Sequence, residues 1–243
     1  MTTTSPVDRA PPTARAGFEV DISKTLRSGA RIFRLQVRFS AAARRTAIHG
    51  PSGAGKTLTL QALAGLMRPD SGQIAFDGDA LFDSARGIDV PARARRFGYV
   101  FQDYALFPLL SVRQNVAFGL STGWLNPAAR GGGQAVDRWL DALELGAVQH
   151  QRPDQLSGGQ RQRTALARAL VGAPRALLLD EPFSALDPAL RGRMRAELDA
   201  LLERIDIPVV MITHDPQDLA GLGDAALVLR IEDGAIAEPG LQA

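Results

Sequence analysis

One octapeptide constrains this chain more than any other feature. Gly50–Thr57 reads GPSGAGKT and fits the pattern G-x-x-x-x-G-K-[ST] at every fixed position. It follows TAIHG (Thr46–Gly50), the pattern of a short buried strand. It precedes Thr57–Leu66, which reads as a helix with Leu60, Leu63 and Leu66 for its buried side. Strand, glycine turn and helix in that order are what a phosphate-binding loop requires. Gly50, Gly53 and Gly55 let the backbone curl around Pro51, Ser52 and Ala54. The inward N–H groups and the positive helix end then cradle a β-phosphate. Lys56 is spaced to bridge the β- and γ-phosphates, and the Thr57 hydroxyl to ligate Mg²⁺. Lys56 is also one of only two lysines among 28 basic residues, the other being Lys24. In a chain that uses arginine almost everywhere, that placement is informative.

Around this motif, β-type and α-type segments alternate. FEVDIS and FRLQVRF (Phe18–Ser23, Phe33–Phe39) alternate apolar and polar residues, as half-buried antiparallel strands do. ALLLDEP (Ala176–Pro182) and PVVMITHD (Pro208–Asp215) are continuous apolar runs with polar ends, which suits central parallel strands covered on both faces. Val136, Trp139, Leu140 and Leu143 fall at helical spacing, with Gly146 placed to end the helix. The segment Ser121–Gly133 before it is rich in Gly, Asn and Pro. The expected fold class is α/β: a P-loop NTPase core of the RecA-like kind, with an antiparallel β subdomain and an inserted helical subdomain. The expected layout is one domain over residues 17–243. Its core is formed by 17–102 and 157–243, and the helical subdomain by 103–156. Residues 1–16, MTTTSPVDRAPPTARA, lack the apolar stretch of a signal peptide and read as a flexible tail.

Composition narrows the function classes. The 243 residues carry a formal charge of +2, so no basic footprint points to a nucleic-acid partner. There is no cysteine, which excludes disulfides and thiol–metal sites and fits a reducing compartment. The longest apolar runs are interrupted, as Arg175 interrupts Ala169–Leu179, so none is long enough to span a bilayer. Any transport role therefore needs a membrane partner.

Chemistry concentrates at strand ends. Asp180 and Glu181 close the run Ala176–Leu179. Beside a P-loop, such a pair supplies one carboxylate for the Mg²⁺ shell, Asp180, and one to orient or deprotonate water, Glu181. His214 in ITHD and Gln102 in YVFQD also end strands. Alone each says little, but parallel α/β sheets gather their carboxyl ends at one ligand site. LSGGQRQ (Leu156–Gln162) is a second phosphate-type loop. It has a hydroxyl, two bare glycines and a helix start over Gln160–Val171.

Taken together, these motifs resemble the ATP-binding cassette family. In chain order they are GPSGAGKT, Gln102, LSGGQRQR, ALLLDEP, SALD (Ser184–Asp187) and His214, and the likeness runs from Phe18 to Pro239. The turn Pro69–Gln73 and strand Ile74–Phe76 also fit it. The resemblance implies that two cassettes pack head to tail as a homodimer. Ser157, Gly158, Gly159 and Gln160 of one would then close over the γ-phosphate of ATP held by the other's P-loop. It further implies that Gln102 contacts Mg²⁺ or the attacking water, Glu181 is the general base, His214 holds the γ-phosphate and Asp187 acts across the interface. ATP and Mg²⁺ are the implied cofactors. Family members often stack an aromatic residue on adenine. No aromatic lies in Lys24–Ile32, which leaves Phe18, Phe33 and Arg27 as alternatives.

The likeness extends to a subgroup. A single cassette without a long coiled-coil insertion between Gln102 and Leu156 is unlike the translation and chromosome-maintenance types. A soluble non-transport ATPase is thus the lesser alternative, and an exporter cassette is normally fused to membrane helices. VFQDYALFP and SVRQNVAFGL look like ATPases of binding-protein-dependent importers. There the surface at Tyr104–Val112 would receive a short permease helix. VDISKTL, SGAGKT and LFDSARGIDVPARARRFGYVFQD (Leu81–Asp103) look like the molybdate-importer ATPases. The implied setting is the cytoplasmic face of the inner membrane. The implied partners are integral permease subunits and, indirectly, an outer solute-binding protein. Molybdate-importer ATPases usually carry a C-terminal oxyanion-binding domain, and this chain stops at Ala243. That fits a short form without such regulation, or another solute such as sulfate, polyamine or ferric iron.

Overall fold

A computed structural model of the chain describes residues 17–29, 31–121, 126–220, 222–223 and 226–237. The expected tail at 1–16 and part of the Ser121–Gly133 segment lie outside them. The N-terminal third is mostly strand. β1 (Phe18–Ser28) and β2 (Arg31–Ala41) form a hairpin paired from Phe18↔Ala41 to Ser28↔Arg31. Strict alternation on β2 buries Leu35, Val37 and Phe39 while Arg34, Gln36 and Arg38 face outward. Both strands outrun the predicted spans, because ladder hydrogen bonds continue toward the tip where the side chains have left the core.

β3 (Arg45–His49) leads through the glycine loop into α1 (Lys56–Ala64). β4 (Ser71–Phe76), β5 (Asp79–Asp83) and β6 (Ile88–Asp89) extend the antiparallel region. α2 (Ala92–Arg95) and β7 (Phe97–Val100) follow. Next come α3 (Val112–Phe118), α4 (Gly133–Ala142) and α5 (Gly158–Leu170). β8 (Ala176–Asp180), α6 (Pro188–Arg204), β9 (Val209–Thr213), α7 (Gln217–Ala220), β10 (Leu227–Glu232) and β11 (Ala235–Ala237) complete the described chain.

The eleven described strands make one sheet, in the order β6-β5-β4-β1-β2-β11-β10-β3-β9-β8-β7. From β10 through β3, β9 and β8 to β7 every neighbour is parallel, and β1, β2, β4, β5 and β6 form the antiparallel part. β8 and β9 are buried at every residue. Leu177, Leu179, Val209 and Met211 face one apolar cluster, and Ala176, Leu178, Val210 and Ile212 face the other. That is the double-faced burial expected of continuous apolar runs. The α1 side chains Leu60 and Leu63 fill the second cluster. α3 and α4 pack on α5, joining Val112, Val116, Val136 and Leu140 to Leu166 and Leu170. α5 also lies against β7, so it bridges the strand core and the helical region.

Several helix ends differ from expectation. α1 stops at Gly65, whose φ of 75° breaks the helix, so Leu66 lies beyond it and is exposed rather than buried. α4 ends at Ala142, not at Gly146. Glu144 takes φ 54°, and Gly146 opens a short 3-10 turn through Val148. α5 starts at Gly158, two residues before Gln160, because Ser157 caps it. Phe18 is core: its ring lies 4.6 Å from Phe76 and 5.4 Å from Phe97, centroid to centroid. It is therefore removed from the alternatives for base stacking.

Candidate nucleotide site

The loop Gly50–Gly55 is built from backbone demands. Gly53 and Gly55 take φ of 80° and 103°, which side chains resist. A Cβ on Gly55 would also come within 2.6 Å of Leu35 Cδ1. Gly55 is the N-cap of α1 and offers no side-chain acceptor, so the first-turn amides remain available to an anion. Lys56 is buried at 4% exposure. Its Nζ donates to the carbonyls of Gly50 and Pro51, both at 2.9 Å, and lies 3.4 Å from Glu181 Oε1.

At the end of β8, Asp180 is 3% exposed. Its Oδ1 accepts from the Thr57 hydroxyl at 3.1 Å, and its Oδ2 from the Tyr99 hydroxyl at 2.9 Å. Burial holds the Asp180 pKa above the ordinary carboxylate range, and the Tyr99 and Thr57 donors pull it partly back. Burial and the neighbouring Asp180 charge push Tyr99 up in turn, so its phenol stays a donor. Glu181 leaves the strand with φ 43°, a left-handed turn for a residue that is not glycine. This turn sends its carboxylate elsewhere than that of Asp180. Glu181 Oε2 lies 3.0 Å from His214 Nδ1, so one carboxylate meets both the Lys56 ammonium and the His214 imidazole.

A cavity of about 390 Å³ opens above the loop. Ser52, Gly53, Gly55, Lys56 and Thr57 line it together with Gln102 and Glu181, and its wall continues to Leu26 and Phe33 of the β1–β2 hairpin. Gln102 sits two residues beyond β7, exposed to this space. Phe33 lines the cavity and Arg27 does not. Tyr99 is the polar group that the sequence reading missed. Its signal was a phenol in an otherwise apolar strand, paired in register with Leu178 two residues before Asp180.

Ser157–Gln160 and Asp187 do not line this cavity. Ser157 caps α5: its Oγ accepts from Gln160 N at 3.3 Å, and Gln160 Oε1 accepts from Ser157 N at 2.9 Å. Gly158 and Gly159 press on the neighbouring segment. A Cβ on either would stop 3.0 Å from Leu186 Cδ2 or Met194 Sδ. Asp187 caps α6 by accepting from Leu190 N at 3.0 Å. The site thus combines an anion cradle, a buried ammonium, two differently placed carboxylates and an imidazole, a set suited to phosphoryl chemistry.

The ABC transporter family profile matches residues 36–184, which include the glycine loop, Gln102, LSGGQ and the Asp180–Glu181 pair. The chain belongs to the ABC transporter family, and its fold is the P-loop cassette fold of that family. Among curated proteins it is 43% identical over 208 residues to the molybdenum import ATP-binding protein ModC of Paramagnetospirillum magneticum, covering 86% of this chain and 56% of that one. It is 42% identical over 221 residues to the protein of the same name from Rhodospirillum rubrum, covering 91% of this chain and 58% of that one. The chain thus spans about half the length of the curated relatives it matches. Among solved structures, the dimeric ATP-binding cassette MJ0796 in a post-hydrolysis state with ADP and Pi is similar. It has a TM-score of 0.72 and 28% identity over 92% of this chain and 97% of that one.

Proposed function

We propose that this chain is the ATP-binding and ATP-hydrolysing cassette of an importer, and that it powers uptake of molybdate through separate permease subunits. The observation that carries the ATPase reading is the meeting of Lys56, Glu181 and His214 beside a phosphate loop. The loop amides and Lys56 hold the β- and γ-phosphates. Glu181 takes a proton from water as its oxygen bonds to the γ-phosphorus and the β–γ bridging bond breaks, yielding ADP and phosphate. Lys56 offsets charge on the transferred group, and His214 fixes the direction of the Glu181 carboxylate.

The donors beside the phosphates fit Mg²⁺. Thr57 hydroxyl, Asp180 carboxylate and Gln102 amide are hard oxygen groups. Mg²⁺ is commonly held by one or two protein oxygens beside phosphate oxygens and water, and these groups can supply them. When bound, Mg²⁺ supplies positive charge against the phosphate oxygens. Thr57, Gln102 and Asp180 are its proposed protein ligands.

The position of Ser157–Gln160 away from the cavity supports their service to a partner's ATP, with Asp187 at the same interface. MJ0796 is a dimeric cassette, and a homodimer is proposed here on that likeness. A groove of about 570 Å³ between the strand core and the helical region supports permease docking. Leu66, Phe101 and Leu120 line it, and Phe107 and Leu109 are exposed beyond it. No described helix is long and apolar enough to cross a membrane. The proposed location is accordingly peripheral, on the cytoplasmic face, with a solute-binding protein acting on the far side. The likeness to molybdenum import ATP-binding proteins supports molybdate over sulfate, polyamine or ferric iron.

The test is labelled-molybdate uptake in cells lacking this chain, complemented with wild type or Glu181→Gln. Rescue by wild type alone, blocked by tungstate and not by sulfate, is expected. No rescue, with ATPase activity intact in the purified protein, would reject the molybdate reading and retain the motor.

A further inference from the structure

His214 is half-exposed, and among the described residues its ring has one hydrogen-bond partner, Glu181. Its orientation therefore depends on the backbone that carries it. Both neighbours of His214 in the chain are tied to one arginine on another element. Arg195 of α6 places Nη2 at 2.6 Å from Asp215 Oδ2 and Nε at 2.6 Å from Asp218 Oδ1. Its Nη1 donates to Gln217 Oε1 at 2.9 Å. Asp218 is buried, and its other oxygen accepts from the Thr213 hydroxyl. That hydroxyl also accepts from Asp215 N at 3.0 Å. Thr213, Asp215 and Asp218 are thus one network closed by Arg195, with His214 projecting from its middle.

The same guanidinium lies 5.8 Å from the centre of the Phe183 ring, two residues after Glu181. Arg195 therefore contacts the segments that carry both members of the Glu181–His214 pair. All three of its nitrogens are used in charge-assisted or amide contacts, in a fixed fork that lysine cannot reproduce. A partly buried ion pair of this kind adds little net stability over an apolar pair, whereas it strongly restricts geometry.

We propose that Arg195 is a positioning residue for hydrolysis: by fixing Thr213 and Asp215 on either side of His214, it holds the imidazole against Glu181. The inference rests on the roles of His214 and Glu181 proposed above. It differs from a purely structural ion pair in acting through one identifiable side chain.

The experiment is a double-mutant cycle on the purified full chain, with Arg195→Met, His214→Ala and the double variant, and with Arg195→Lys alongside. Arg195→Met is expected to lower kcat about tenfold with KM for ATP within about twofold. The double variant is expected to be no slower than His214→Ala alone, and Arg195→Lys to recover part of the loss. Multiplying losses in the double variant, or an unchanged kcat in Arg195→Met, would overturn the proposal. If Arg195→Met fails to fold, Asp215→Asn removes one contact of the same network and takes its place in the cycle. A wild-type chain without turnover would refute the ATPase reading. The positioning claim is then read from the His214 imidazole resonances: a shift on Arg195→Met supports it, and identical spectra reject it.

Discussion

Arg95 is 1% exposed, yet it carries a charge into the interior. Its Nη1 donates to Ala62 O at 2.7 Å and Leu63 O at 2.8 Å, Nε donates to Val90 O at 2.8 Å, and Nη2 donates more weakly to Leu81 O at 3.4 Å. Ala62 and Leu63 lie in the last turn of α1, where unpaired carbonyls and the negative dipole end favour a cation. Burial lowers the Arg95 pKa, and Asp89 opposes that shift. Arg95→Met keeps most of the stem and deletes the donors. Ala62 O retains the Gly65 N–H at 3.1 Å, whereas Leu63 O and Val90 O lose the arginine donor. A buried carbonyl left without a partner costs about 1–3 kcal/mol. The buried Leu63 carbonyl and the part-buried Val90 carbonyl, less the relieved desolvation of the guanidinium, put the loss near ~3 kcal/mol. At roughly 2–4 °C per kcal/mol for a chain of this size, the melting temperature should fall by about 9 °C. Urea and thermal unfolding followed by circular dichroism measure both quantities. A loss below ~1 kcal/mol would refute the reasoning, since it would mean that the α1 carbonyls do not depend on Arg95.

Two further outcomes follow from contacts at the phosphate site and at the start of α5. The raised folded pKa of Asp180 means that its stabilising share is present below the ordinary carboxylate range and lost as pH rises through the raised value. Asp180→Asn should therefore melt higher than wild type at neutral pH, by a margin that grows as pH rises from the ordinary carboxylate range through the raised folded value and then levels off, while ATP turnover falls steeply. A margin that shrinks with pH would contradict the burial argument. Ser157→Ala deletes the cap of α5 and should cost about 1 kcal/mol in nucleotide-free unfolding; no loss would show that the capping bond is replaced by water.

Much of the core and the phosphate loop could be read from spacing alone. Uninterrupted ALLLD and VVMIT runs leave no polar face, so two-sided burial follows, and GPSGAGKT states its own turn geometry. Contacts set by sheet order were harder. Tyr99 meets Asp180 across 81 residues only because β7 lies beside β8. Arg195 looks like one more basic residue on an exposed helix until α6 is seen against α7. Helix ends differ for separate reasons: α1 stops at Gly65 and α5 starts at its Ser157 cap, both signals that residue type carries, whereas α4 ends where Glu144 takes left-handed backbone, which no residue-type rule signals. Phe18 and Phe33 both sit in alternating strands. Only their distance from the hairpin tip separates a core ring from one facing the cavity.

Ser157–Gln160 stand outside the cavity lined by Lys56 and Thr57 of their own chain. On the composite arrangement proposed above, each polypeptide lends its glycine pair to a neighbour and borrows one in return. A chain damaged in that stretch keeps its own phosphate loop and spoils the one opposite. In a cell making both versions, injury then passes from the faulty product to the sound one within every mixed pair. Lesions at Ser157 or Gly159 would accordingly behave as dominant alleles, whereas loss of expression would behave as recessive.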